Sequence, residues 1–140
     1  MKEIVLGLDL GTTTLGIAIS DGLGIGHPKE VFRFQKGAYS KPKMRVIELC
    51  DELNIKTIAL GYPLHMDGRE SDMSKVVSIF KDRLLELKPD LNIILIDERL
   101  TSVSAHERLS EMGMKYEKQK QVVDMYAALE ILETYLNRRK

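Results

Sequence analysis

Two acidic residues stand where the surrounding pattern calls for apolar ones, and a third lies just past the end of a buried strand. Asp9 lies in the run Glu3–Leu10 (EIVLGLDL), with Ile4, Leu6, Leu8 and Leu10 on one face and Val5 and Gly7 beside Asp9 on the other. A strand apolar on both faces is covered on both sides, and an ionised carboxylate is almost never buried without a partner. Gly11-Thr12-Thr13-Thr14 follows, a turn of small side chains and hydroxyls that leaves room for a charged ligand. In the last helical stretch, Asp124 heads the stripe Ala127, Ala128, Ile131 and Tyr135. Glu98 lies in the Asp97-Glu98-Arg99 segment that closes another strand candidate. Three carboxylates gathered at one place repel each other unless cations neutralise them. A pair of Mg2+ or Mn2+ ions roughly 4 Å apart would do so, and would also activate a water and stabilise the leaving oxygen of a phosphodiester. The bland alternatives are an Asp9 satisfied by turn amides and an Asp124 at a helix margin, reaching solvent or Lys120.

The elements that would have to bring these acids together can be read from periodicity. Strands are expected at Glu3–Leu10, Leu15–Ser20 and around Val31–Phe34, the last after a loop at Asp21–Lys29 that holds three glycines and Pro28. Connections this short imply an antiparallel meander. Lys43–Leu53 then reads as a helix, with Met44, Val46, Ile47, Cys50 and Leu53 in its stripe. Thr57–Gly61 reads as a buried strand, and His65–Asp72 as an exposed loop. A helix follows over about Met73–Leu87, capped by Ser71, Asp72 or Ser74, and then a strand at Asn92–Ile96. Helices at about Ser102–Glu111 and Glu117–Arg138 complete the chain. The order β-β-β-α-β-α-β-α-α predicts an α/β fold. Its mixed sheet would have five strands, a three-stranded antiparallel meander plus two parallel strands, flanked by helices. Ligands gather near the carboxyl ends of parallel strands, where Asp9, Gly61–Leu64 and Asp97–Glu98 should converge.

Composition narrows the class. At 140 residues, a single domain over 1–140 with a real core is expected. There is no apolar run of about 18 residues and no signal peptide, so neither a membrane partner nor export is expected. The single Cys50 excludes an internal disulfide and fits a cytoplasmic location. The three histidines lack zinc spacing, so any metal should be hard and oxygen-bound. With 21 basic and 21 acidic residues, bulk electrostatics do not drive nucleic-acid coating. Local basic clusters exist at Lys36, Lys41, Lys43 and Arg45, at Lys115, Lys118 and Lys120, and at Arg138-Arg139-Lys140, each equally readable as solvated surface. Asp97 is expected to pair with Arg99 or cap a helix rather than join Glu98.

Four segments together resemble one family. They are GLDLGTTTLGIAISD (Gly7–Asp21), GYPLHMDGRES (Gly61–Ser71), DERLTSVSA (Asp97–Ala105) and VDMYAALEILETYL (Val123–Leu136). In this order they resemble the YqgF (RuvX-like) proteins, RNase H-like nucleases described as Holliday junction resolvases and as pre-16S rRNA processing nucleases. The resemblance implies the same five-stranded architecture, with acidic metal-binding positions at Asp9, Glu98 and Asp124. Two positions depart from the family pattern. Thr14 and Leu15 stand where many relatives carry arginine, and the fourth strand ends Gly61-Tyr62-Pro63 where RuvC-type resolvases place their second acid.

The reading that follows is a metal-dependent endonuclease acting on precursor rRNA or branched DNA, as a monomer or weak homodimer. Asp9 would bridge the metals, Glu98 and Asp124 would complete the ligands, and Thr12, Thr13, Arg99 and Thr101 would hold phosphate oxygens. A non-catalytic nucleic-acid-binding module is one rival. An actin-like or sugar-kinase fragment, suggested by Asp9-Leu10-Gly11-Thr12, is another, though 140 residues leave no room for its second domain.

Overall fold

A computed structural model describes residues 1–101 and 104–139. Five strands form one sheet: β1 (Val5–Leu10), β2 (Thr14–Ser20), β3 (Gly26–Arg33), β4 (Thr57–Tyr62) and β5 (Asn92–Asp97), in the order β3-β2-β1-β4-β5. β1, β2 and β3 pair antiparallel, while β4 runs parallel to both β1 and β5. This is the expected mixed sheet.

The alternation in β1 separates two cores. Leu6, Leu8 and Leu10 face α1 (Ser40–Leu53) and α2 (Asp72–Leu87), meeting Val46, Leu49, Val77, Phe80 and Leu84. Val5 faces the opposite way, toward Ala128, Leu129 and Leu132 of α4 (Tyr116–Arg138). One long helix therefore covers one face and two shorter helices cover the other. Burying an aliphatic side chain of this kind stabilises by about 1.5–3 kcal/mol, so the apolar face of β1 anchors the whole α1–α2 layer.

The face under α4 is lined by residues with little or no side chain, and the helix sits low on it. A Cβ at Gly7 would lie 2.6 Å from Leu132 Cβ, and one at Gly26 would lie 2.9 Å from Leu129 Cδ1. Ala18 and Ala59 continue this floor.

Several boundaries differ from expectation. β3 starts at Gly26 and takes in Pro28, although the sequence reads there as a loop. It is an edge strand, where the N–H that proline lacks is least missed, and the ladder shifts register between Ile17 and Ala18 to accommodate it. In α1 the buried residues are Pro42, Val46, Leu49 and Cys50, whereas Met44 is 52% and Leu53 39% exposed. The stripe is therefore rotated by about one position, because Pro42 packs inward from the first turn, where its missing N–H costs nothing. Ser71 caps α2 in a reciprocal arrangement with Ser74. α3 is described over Ala105–Glu111, capped by the Ser104 side chain. The expected start at Ser102, together with Val103 and the terminal Lys140, lies outside the described residues.

Candidate metal centre

Asp9 sits one residue before the end of β1, between two glycines on neighbouring strands. On one side it pairs directly with Gly16 of β2. On the other, Leu8 pairs with Leu60 of β4, which sets Gly61 next to Asp9 on the same face. Both glycines are spaces that other groups fill. A Cβ at Gly16 would fall 1.9 Å from the main-chain oxygen of Asp124, so α4 rests on β2 at that point. A Cβ at Gly61 would fall 2.5 Å from Ile131 Cδ1 and 3.3 Å from the Glu98 carboxyl carbon. Asp124 and Glu98 thus flank Asp9 from opposite sides.

The electrostatics follow from this geometry. The Asp9 carboxyl is pushed up to about 8, first by burial, then by the charges of Glu98, Asp124 and Glu130. Glu98 is also raised, by burial and by its neighbour Asp97. Among the described residues no hydrogen bond offsets either shift; burial and like charge set both. No turn amide among the described residues donates to the Asp9 carboxyl, and the amide of Gly11 donates instead to the Thr14 carbonyl, at 2.8 Å.

Glu98 opens a single 3-10 turn, Glu98–Leu100, that is tied down on both sides. Thr101 Oγ1 donates to the Glu98 carbonyl at 2.8 Å, and Asp97 Oδ1 accepts the Arg99 amide at 3.0 Å. The Arg99 guanidinium grips Asp97, with Nη2 2.6 Å from Oδ2, and its Nη1 donates to the Met66 carbonyl at 3.2 Å. This contact holds Asp97 well below the usual carboxylate range. The expected Asp97–Arg99 pair is therefore present. It also engages Arg99, and Thr101 likewise closes a turn, so both support the segment that carries Glu98. Thr12 and Thr13 are exposed at the β1–β2 turn just beyond Asp9.

Among the described residues, no three His, Cys, Asp or Glu side chains stand close enough together to hold one ion as they are. The donor set nevertheless suits a hard divalent cation. It comprises anionic oxygens on a strand, a 3-10 turn and a helix, with Asp9 and Glu98 uncompensated, and a bound cation would relieve their repulsion.

Sequence reasoning missed Glu130. It lies off the Asp124 stripe, and its carboxyl is raised to about 7 by burial together with Glu133 and Glu107, against the lowering effect of Arg108. Arg108 is committed to Glu133 at 2.7 Å, which leaves Glu130 Oε1 buried without a partner. These side chains line a cavity of about 470 Å³ beside the C-terminal half of α4. No periodicity signal could have singled out Glu130, because its isolation depends on Arg108 choosing Glu133. The spacing glycines Gly16 and Gly61 were likewise unreadable as neighbours of Asp124 and Glu98 before strand order was known.

Comparison with known proteins agrees with this architecture. A family model described as RuvX: Holliday junction resolvase matches residues 3–138. A protein of Acetivibrio thermocellus named "Putative pre-16S rRNA nuclease" is 40% identical over 134 residues, covering 95% of this chain and 94% of its own. A Geobacillus relative of the same name is 38% identical, covering 97% and 99%. Among solved structures, Thermus thermophilus RuvC in complex with a Holliday junction substrate superposes with a TM-score of 0.63 at 14% identity, covering 99% of this chain and 96% of that one. Fowlpox virus resolvase gives 0.57 at 14% identity, covering 97% and 98%. The shared fold is RNase H-like.

Proposed function

This chain belongs to the RuvX family, a nuclease family, and on that premise we propose that it hydrolyses phosphodiester bonds of structured nucleic acid at a divalent-metal centre on Asp9, Glu98 and Asp124. The observation that carries the proposal is the placement of Asp9 between two side-chain-free positions, over which Glu98 and Asp124 lie. Burying a carboxylate among like charges costs stability, and a cation returns that cost. When bound, Mg2+ or Mn2+ would lower the pKa of a water and stabilise the oxygen that leaves.

The chain's own residues supply position. Asp9, on the central strand β1, would be one of the carboxylates that hold the metal. Glu98 reaches in from the turn that Thr101 and Arg99 fix, and Asp124 comes from the helix that Gly16 admits. Thr12 and Thr13 offer hydroxyls to phosphate oxygens where a strand would enter. The exposed edge of Arg99 lies next to Glu98, so a phosphate there would share it with Asp97.

The relatives' names favour precursor 16S rRNA as substrate, and we take the cut to fall at its 5′ end, in the cytoplasm, made by a monomer or weak homodimer. The family description favours a second reading, resolution of four-way DNA junctions, which would require two sites and hence a dimer. A side-by-side assay separates them: purified protein with Mg2+ or Mn2+, offered a precursor rRNA fragment and a four-way junction. Cleavage of the RNA by a monomeric protein supports the first reading. Paired incisions of the junction by a dimer support the second, and no metal-dependent cleavage of either would leave the binding-module rival standing.

A further inference from the structure

Two basic stretches that are remote in sequence, Arg33 to Lys36 and Lys118 to Lys120, are joined near the Asp9 end of the sheet by a contact between Arg33 and Gln121. Arg33 pairs with Thr14 in the β2–β3 ladder, and the Phe34 amide donates to the Thr13 carbonyl at 2.9 Å. The segment leading to Lys36 therefore starts beside the turn that follows Asp9. Arg33 Nη2 reaches the Gln121 carbonyl at 3.4 Å, which joins this edge to the first turns of α4. Asp124 lies over Gly16, whereas Ala128 and Leu132 lie over Gly7, further back along β1. The helix residues before Asp124 must then project past the carboxyl end of β1, carrying Lys118 and Lys120.

Charge at this rim is available. Arg45, Arg69, Arg99, Arg108 and Arg139 are each engaged with a carboxylate. Arg33, Lys36, Lys118 and Lys120 are exposed and enter no ion pair among the described residues. Glu117 is the acid in the first turn of α4.

The rim also holds an exposed aromatic ring. Tyr116, the first residue of α4, is 63% exposed. Its ring stacks on His106 with centroids 5.8 Å apart and 27° between planes, and Lys120 Nζ lies 4.9 Å from its centroid. An exposed cation–π contact is weaker than a nucleobase stacking on an aromatic ring. A base can therefore displace Lys120 from the ring and leave its ammonium free for a phosphate. Tyr116 lies eight positions before Asp124, about 12 Å along the helix axis and within reach of the same strand.

We propose that the rim formed by Arg33, Lys36, Lys120 and Tyr116 binds a single-stranded segment of the substrate next to the cut, phosphates on the cations and one unpaired base on Tyr116. The proposal rests on the nuclease reading and sharpens it. A precursor RNA end supplies unpaired bases, and a fully paired four-way junction does not.

The test uses full-length protein carrying Asp9→Asn, so that RNA is bound without being cut, and a fluorescent RNA duplex with or without a single-stranded overhang. Anisotropy is read at several salt concentrations. R33Q/K36Q/K120Q should reduce the slope of log K against log salt on the overhang substrate by about 2, near 0.7 per lost phosphate contact. Tyr116→Ala should weaken overhang binding about tenfold and leave the blunt duplex unchanged, while Tyr116→Phe binds like the parent. An unchanged slope, or equal losses on both substrates, overturns the proposal even if the parent with Asp9 intact cleaves. If the parent fails to cleave while the slope and stacking effects appear as stated, the rim stands and the nuclease reading falls.

Discussion

Asp9 and Gly16 face each other across the β1–β2 ladder, and the main-chain oxygen of Asp124 occupies the space that a side chain at Gly16 would need. One acid is brought to another by the absence of a Cβ between them. The depth of the site is thus fixed by backbone contact between helix and strand, the stiffest kind of contact available.

Gly16→Ala should therefore be severe. The new methyl would meet backbone at 1.9 Å, which no rotamer relieves. A loss of about 3 kcal/mol or more is expected by denaturant melting. A loss under about 1 kcal/mol would mean that α4 rides higher than described.

Gly61→Ala separates packing from position. Its methyl would meet the flexible end of Ile131 at 2.5 Å and the Glu98 carboxyl carbon at 3.3 Å. Pairing it with Ile131→Val removes the first clash and leaves the second. The double variant should regain most of the parent's melting temperature yet stay impaired in cleavage, because Glu98 is displaced. Full recovery of both would show that Glu98 does not depend on Gly61.

Asp9→Asn should reduce metal-dependent cleavage to background without weakening the fold, since it replaces a buried carboxyl whose ionisation the surroundings oppose with a neutral group of the same shape. Thermal melting with chelator present checks this; destabilisation beyond about 2 kcal/mol would make the carboxylate structural. Adding Mn2+ at roughly 100 times its dissociation constant should stabilise the parent by about 2.7 kcal/mol. Asp9→Asn should respond far less.

Glu130 makes stability depend on pH. Its folded value of about 7 lies above the ordinary 4.5. Its stabilising contribution is therefore complete below the ordinary value and disappears as pH rises through about 7. Glu130→Gln holds the side chain neutral throughout. It should match the parent at about pH 4 and exceed it by about 1 kcal/mol near pH 8, a figure discounted for solvent screening of a half-buried group. Urea melts at both pH values check the crossover.

The sheet was legible because its signals are local. Alternation in EIVLGLDL separated the two cores, and unbroken apolar runs marked β4 and β5. Asp9 was conspicuous for the same reason, as a charge in a pattern that excludes one. β3 was misjudged at Gly26–Lys29 because an edge position suspends the usual meaning of proline, and edge status is a property of the finished sheet. The α1 stripe was misphased because Pro42 faces inward. Arg99 and Thr101 read as phosphate contacts from residue type alone, yet both spend hydrogen bonds fixing the turn under Glu98. The Asp97–Arg99 pair was readable from its spacing, but the reach of Arg99 to the Met66 carbonyl and of Thr101 to the Glu98 carbonyl depends on how the chain turns, which no spacing encodes.

The glycine floor beneath α4 has a consequence for how chains of this architecture can decay. Gly7, Gly16 and Gly26 set the height of the helix whether or not any carboxylate remains above them. A descendant that lost its acids would keep the same silhouette and melt no earlier, a mute copy of a working enzyme. One that gained a methyl group on this floor would lose shape and chemistry together.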